Sequence, residues 1–279
     1  MSFATGKRVV ITGANSGIGF ETARILAAYG AEVIMVCRSR ERGENARQEI
    51  IRRDPDADIA LYTADLASRD SIASLCRELN RRYSSLHILI HNAGAFFGTP
   101  QQTEDKLERS FAVNHLGPYR LTMGLIELLQ SGAPARVIMV SSEAHRFFPL
   151  DLVDVRRPRR YRGFKAYCNS KLANILFARE LARRYSDAGI SAVSLHPGFV
   201  RTRFGDRSSR RPSAVLFRVA ARLFAASPEK GAATPVFLAD TEDLTSGMYY
   251  VNRKLKKPSP AARSDKLAAE LWQLSESLA

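Results

Sequence analysis

The sequence predicts an α/β fold, a single doubly wound parallel sheet with helices on both faces. Three observations lead there. A short apolar run, Arg8 to Thr12, enters a glycine-rich turn and leaves as the helical pattern Phe20, Ala23, Ile25, Leu26 and Ala27. Apolar runs and helical stretches then alternate at lengths that suit right-handed βαβ units. Small and polar residues gather where the apolar runs end, the side of a parallel sheet on which ligands bind.

The first unit carries Gly13-Ala14-Asn15-Ser16-Gly17-Ile18-Gly19 between strand and helix. Glycines let the backbone turn tightly and approach a pyrophosphate, and the free N–H groups of the next helix favour its charge. This Gly-x-x-x-Gly-x-Gly loop reads as a dinucleotide cradle, although its spacing differs from the commoner Gly-x-Gly-x-x-Gly. A strand at Glu32 to Cys37 follows, ending in Cys37-Arg38. A carboxylate at that point would accept bonds from the ribose 2′-hydroxyl of NAD, whereas Arg38 suits a 2′-phosphate, so NADP(H) is favoured. Arg40 and Arg42 are neighbouring alternatives for that contact.

Further along, Glu41 to Arg53 reads as helix, Asp58 to Tyr62 as a strand leading into Asp65-Leu66, and Asp70 to Tyr83 as helix. The strand Leu86 to Ile90 runs into Asn92-Ala93-Gly94. Asp65 is either a site residue at a strand end or a helix cap. A long helix is expected from Glu104 to Leu129, containing Phe111-Ala112-Val113-Asn114-His115-Leu116-Gly117. It is followed by the strand Arg136 to Val140 with Ser141-Ser142 at its end. The helical run Phe164 to Tyr185 places Tyr167 and Lys171 four residues apart on one face, an ammonium beside a phenol. A nearby cation favours the phenolate and so lowers the tyrosine pKa from about 10 towards a range useful for acid–base work.

Composition narrows the classes. The chain has 279 residues, 45% of them hydrophobic, which suits one domain across 1–279 with a full core. No apolar run approaches the ~18 residues of a membrane span. The expected setting is soluble and cytoplasmic, without a signal peptide or anchor. Three cysteines, Cys37, Cys76 and Cys168, have neither disulfide nor metal-ligand spacing, so no metal is expected. The formal charge of +14 comes mostly from Arg156 to Arg162 and from Arg201 to Arg222. No nucleic-acid-binding motif accompanies it. Solvated loop charge is the leading reading, with an acidic substrate, an acidic partner or an anionic membrane surface as alternatives.

Taken together, Thr12-Gly13-x-x-x-Gly17-Ile18-Gly19, Asp65-Leu66, Asn92-Ala93-Gly94, Asn114, Ser141-Ser142, Tyr167-x-x-x-Lys171 and Pro197-Gly198 closely resemble the short-chain dehydrogenase/reductase family, on a Rossmann fold. Ser142-Glu143-Ala144-His145, Gly247-Met248-Tyr249-Tyr250, Pro258-Ser259-Pro260 and Leu271-Trp272 are similar to its retinol-dehydrogenase-like branch. The likeness spans about residue 7 to 279.

The resemblance implies that Tyr167 exchanges a proton with a ketone or alcohol oxygen. It further implies that Ser142, rather than Ser141, bonds that oxygen, that Lys171 holds the nicotinamide ribose, and that Asn114 anchors a relay water. Gly13, Asn15, Ser16, Gly17, Ile18, Gly19, Arg38, Asp65, Leu66, Asn92, Ala93 and Gly94 would line the dinucleotide. Pro197, Gly198, Val200 and Thr202 would meet its nicotinamide end. Ser142 and Tyr167 stand 25 residues apart, so residues 146–164 form an insertion beside the serine, expected to wall the substrate. Residues 199–228 occupy the place of the family's variable substrate loop, and Val215, Leu216, Val219, Leu223 and Phe224 form an apolar stripe in it. Related proteins pair through the helices at 104–129 and 164–185, so a homodimer or homotetramer is expected. The function expected is NADP(H)-dependent reduction of a fairly apolar carbonyl compound. The alternative is a non-catalytic dinucleotide-sensing or partner-binding protein on the same fold.

Overall fold

The structure is a computed structural model that describes residues 2–155, 158, 160–198 and 227–279. Its framework is an eight-stranded sheet in the order β3-β2-β1-β4-β5-β6-β7-β8. The strands are β1 (Arg8–Thr12), β2 (Glu32–Cys37), β3 (Ile59–Thr63), β4 (Ile88–His91), β5 (Ala135–Val140), β6 (Ile190–His196), β7 (Tyr249–Val251) and β8 (Lys254–Lys256). All neighbours pair in parallel except β7 and β8. The order reverses between β1 and β4, which opens a crevice at the carboxyl ends of those strands.

Both faces of the sheet are covered, so the central strands read as nearly continuous apolar runs. Alternate residues still serve different layers. Val9 and Ile11 join the core beneath α1 (Gly17–Ala28) and α2 (Arg40–Arg53). Val10, on the other side of the same strand, joins the core beneath α3 (Arg69–Arg82). The first core also takes Val236 and Leu238 of α8 (Pro228–Asp240), and the second takes Leu172, Leu176 and Phe177 of α7 (Gly163–Tyr185). The last helix, α9 (Asp265–Leu278), lies on α7 and brings Trp272 against Phe177 and Tyr119.

The long helix expected over 104–129 is broken into pieces. Lys106 turns the chain with φ 58°, and Gln102 and Glu108 form an isolated antiparallel bridge. The Glu108 carboxylate then accepts the Ser110 and Phe111 N–H groups at 2.8 and 2.7 Å, so the helix starts there. It continues as α4 (Arg109–Phe111), a π-helical turn (Ala112–Leu116), α5 (Gly117–Gly124) and α6 (Ile126–Ser131). Other expected boundaries lie within two residues of the observed ones. The candidate substrate residues 199–226, with Val200, Thr202 and the apolar stripe, and Arg156, Arg157 and Arg159, lie outside the described residues. Among the described helices none is long and apolar enough to cross a membrane.

Candidate active site

The crevice is built on the glycine turn. Gly13 and Gly17 adopt φ of +67° and +58°, which side chains disfavour, and Gly19 has no room for one. A Cβ on Gly19 would stand 2.3 Å from the Asn92 Nδ2 and 2.4 Å from the Gly13 carbonyl oxygen. The following helix begins at Ser16, whose side chain makes no cap, so the first N–H groups of α1 stay available to an anion. An open helix end behind a left-handed glycine turn fits a dinucleotide pyrophosphate.

Asn92, Ala93 and Thr12 hold this turn from behind. The Asn92 amide donates to the carbonyls of Thr12 and Gly13 at 2.9 and 3.2 Å, and the Ala93 N–H donates to the Thr12 hydroxyl at 3.0 Å. Asn92 and Ala93 therefore shape the cradle. Gly94 has another task, since a Cβ there would lie 3.1 Å from the Lys171 Nζ. Its bareness leaves space for that ammonium.

Asp65 does not cap α3, because the Ser68 hydroxyl does. The carboxylate instead accepts the Ala67 N–H at 2.9 Å at the end of β3, with Leu66 buried behind it. Arg38 is exposed just past β2, and among the described residues no carboxylate pairs with it. Pro197 and Gly198, the latter at φ +86°, end the described chain beyond β6.

Tyr167, Ser142 and Lys171 converge from α7 and the end of β5. Ser142 hydrogen-bonds the Tyr167 side chain. Ser141, by contrast, is buried and donates to the Lys171 carbonyl at 2.7 Å, tying α7 to β5. The choice of Ser142 over its neighbour thus has a geometric reason. Lys171 is 3% exposed, and its Nζ donates to the Val140 carbonyl at 3.0 Å.

The expectation that Lys171 lowers the tyrosine pKa is not met. Burial pushes the Tyr167 phenol up to about 12, against a smaller downward pull from the Ser142 hydrogen bond. The Lys171 Nζ stands 5.8 Å from the phenol ring centroid, and burial draws its own pKa down to about 8. Desolvation disfavours both charged forms. A phenol that keeps its proton at neutral pH suits a proton donor.

Asn114 sits in the π-helical turn, a feature frequent at functional sites. Its Oδ1 accepts the Ala95 N–H at 2.7 Å, and its Nδ2 donates to the Ala95 carbonyl and the Ser170 hydroxyl at 2.9 Å each. Both amide hydrogens are spent on holding the loop after β4 against α7. Ser170, which the sequence reading passed over, links this arrangement to Tyr167 by donating to its carbonyl at 2.7 Å.

These parts match known proteins. The short chain dehydrogenase family model matches residues 7–212. The chain belongs to the short-chain dehydrogenase/reductase family. Retinol dehydrogenase 14 of Mus musculus is 40% identical over 285 residues, covering 97% of this chain and 85% of that protein. Retinol dehydrogenase 12 of Homo sapiens is 42% identical over 273 residues, with the same two coverages. This places the short-chain dehydrogenase/reductase in the retinol-dehydrogenase-like branch. A crystal structure of an uncharacterized protein from Mycobacterium paratuberculosis superposes with a TM-score of 0.79 at 33% identity, over 98% of this chain and 93% of that one. As a member of the family the chain is an oxidoreductase that uses NAD(P)(H).

The described part of the insertion after Ser142 packs on the start of α7 and on the loop after β4. Phe147 and Phe148 lie 5.7 and 6.1 Å from Phe164 by ring centroids, Phe96 lies 6.1 Å from Tyr167, and the Tyr161 hydroxyl donates to the Phe97 carbonyl at 2.6 Å. Arg160 and Arg162 are exposed.

Proposed function

We propose that this enzyme reduces a ketone or aldehyde on a fairly apolar small molecule to the alcohol, preferring NADPH. The carrying observation is the Tyr167 phenol, still protonated at neutral pH, hydrogen-bonded to Ser142 above a buried Lys171. The dinucleotide, when bound, supplies the hydride to the carbonyl carbon. Ser142 donates a hydrogen bond to the carbonyl oxygen, where negative charge develops, and Tyr167 delivers the proton that completes the alcohol. Lys171 holds the ribose hydroxyls, and Asn114, whose amide hydrogens are already bonded, anchors through an acceptor oxygen the water that returns a proton to the tyrosine.

The turn Gly13 to Gly19 would hold the dinucleotide, with Asn15, Ser16 and Ile18 serving the phosphates, Asp65 and Leu66 the adenine, and Asn92, Ala93 and Gly94 the stretch between. Pro197, Gly198, Val200 and Thr202 would serve the nicotinamide end, and Arg38 the 2′-phosphate. The exposed aromatics Phe147 and Phe164 after Ser142, and the apolar stripe in the sequence of residues 199–228, support the substrate class. Retinol in the relatives' names supports it too. A cytoplasmic location accords with three free, buried thiols at Cys37, Cys76 and Cys168. A homodimer or homotetramer is part of the same proposal.

The test is loss of NADPH absorbance against a panel of apolar aldehydes and ketones, retinal among them. Turnover of at least one compound is expected. Tight dinucleotide binding with no turnover across the panel would contradict the reading and favour a dinucleotide-sensing role.

A further inference from the structure

Two stretches that the catalytic scheme leaves idle, Ser142-Glu143-Ala144-His145 and Pro258-Ser259-Pro260, meet behind the serine. His145 is 1% exposed, inside the single 3₁₀ turn Glu143–Arg146. Its Nε2 lies 3.1 Å from the Ser259 main-chain nitrogen, and its Nδ1 lies 2.7 Å from the Ser142 carbonyl oxygen. A main-chain N–H can only donate and a carbonyl can only accept. Nε2 is therefore the bare nitrogen, and Nδ1 carries the proton. The two partners fix the tautomer from both sides, and burial keeps the ring neutral by holding its pKa below the usual histidine range. Tyr249 packs edge-on against the ring at 5.2 Å.

Apart from the hydroxyl's bond to Tyr167, the other described bonds to Ser142 stay local. Its carbonyl also accepts the His145 N–H at 3.1 Å, and its hydroxyl accepts the Ala144 N–H at 3.2 Å. Both arise within the turn itself. Among the described residues, the imidazole is what links the Ser142 main chain to a segment 114 residues further along the chain from His145.

We infer that His145 is a positioning residue for Ser142, a strut that braces the serine main chain against the Ser259 segment and keeps its hydroxyl aimed at Tyr167. This rests on the reading of Ser142 as the group that bonds the substrate oxygen. A strut of this kind acts on the chemical step and leaves dinucleotide binding alone, since the glycine turn and Arg38 lie elsewhere.

Two substitutions divide the imidazole between its partners. His145→Asn places an amide N–H near the Nδ1 position, able to donate to Ser142 but too short for Ser259. His145→Gln places an amide oxygen near the Nε2 position, able to accept from Ser259 but offering nothing to Ser142. We expect His145→Asn to keep kcat within about threefold of wild type and His145→Gln to lose roughly tenfold or more. The affinity for NADPH should be unchanged in both, with melting curves recorded alongside. In a Ser142→Ala background, adding His145→Gln should reduce kcat no further, because the strut acts through the hydroxyl already removed. A loss of tenfold in His145→Asn, better retention by His145→Gln, or an additive loss in the double variant would each overturn the inference. If Ser142→Ala alone kept full kcat, the reading of Ser142 would fail instead, which separates the two claims.

Discussion

At the scale of single residues, Lys171 shows what the site costs the fold. Its ammonium is buried, and its folded pKa of about 8 lies below the ordinary 10.5. Between those values the unfolded chain binds more protons than the folded one, so this group makes stability rise with pH through that window. Below it the buried charge is a standing penalty, at most roughly 3 kcal/mol at about 1.4 kcal/mol per unit. Lys171→Met should therefore raise the melting temperature at pH 7 while abolishing turnover, and the gain should fade above about pH 10. Thermal melts across pH check this, and a variant that melts lower at pH 7 would refute it. Helix spacing put Tyr167 and Lys171 on one face and a strand end held Ser141 and Ser142, but their roles, and Ser142 over its neighbour, came from the family resemblance, since such patterns are common on their own. The direction of the tyrosine shift was not legible, because desolvation depends on packing that no spacing reveals. Nor was the Asn114 network, whose partners Ala95 and Ser170 stand 19 and 56 residues away.

At the scale of elements, the junction of β2 and α2 carries the proposed preference for NADPH. Cys37 is buried, and the main-chain N–H groups of Ala14 and Asn15 reach its thiol. Arg38 follows in solvent, with Ser39 capping α2. A charge-assisted bond to a 2′-phosphate is worth about 1.5–3 kcal/mol before solvent screening, so NADPH should exceed NADH by about tenfold or more in kcat/KM. Replacing Cys37 with Asp and Arg38 with Ile should reverse the order, since it removes the cation and supplies a ribose acceptor. Equal values for the two cofactors in the wild type would make Arg38 a bystander. The β–α alternation behind this placement was readable from β1 to β6 apart from one region, because strands buried on both faces and amphipathic helices have different periods. The region from Glu104 to Leu129 was misread because its breaks arise from a carboxylate cap at Glu108 and from a π turn. Apolar periodicity registers neither.

At the scale of the molecule, α9 occupies much of the face on which pairing was expected. Trp272 stacks on Phe177 at 5.8 Å, meets Tyr119 edge-on at 5.2 Å and lies under the Arg184 guanidinium at 4.7 Å. His115 and Ser275 hydrogen-bond at 2.8 Å, and Arg120 donates to the Leu278 carbonyl at 2.6 Å. The proposed pair, if built on the faces of α5 and α7 that carry Tyr119 and Phe177, would have to include α9. Trp272→Ala should cost about 3–5 kcal/mol, as large-to-small changes of a buried aromatic do, and denaturant unfolding will show a loss below ~1 kcal/mol if the packing is unimportant. The sequence marked Leu271-Trp272 as a signature but could not say where it docks, since its partners lie far back in the chain. The same long-range convergence brings Ser142, Tyr167, Lys171 and the glycine turn to one crevice, and the central claim is that they act there as a proton-donating site. Its most direct test is hydride transfer from bound NADPH to an accepted carbonyl, followed in wild type and in Tyr167→Phe with dinucleotide affinity measured in parallel. The account predicts unchanged affinity and a rate lower by roughly 10²–10⁴-fold in the variant. A variant that keeps a tenth or more of the wild-type rate would contradict it.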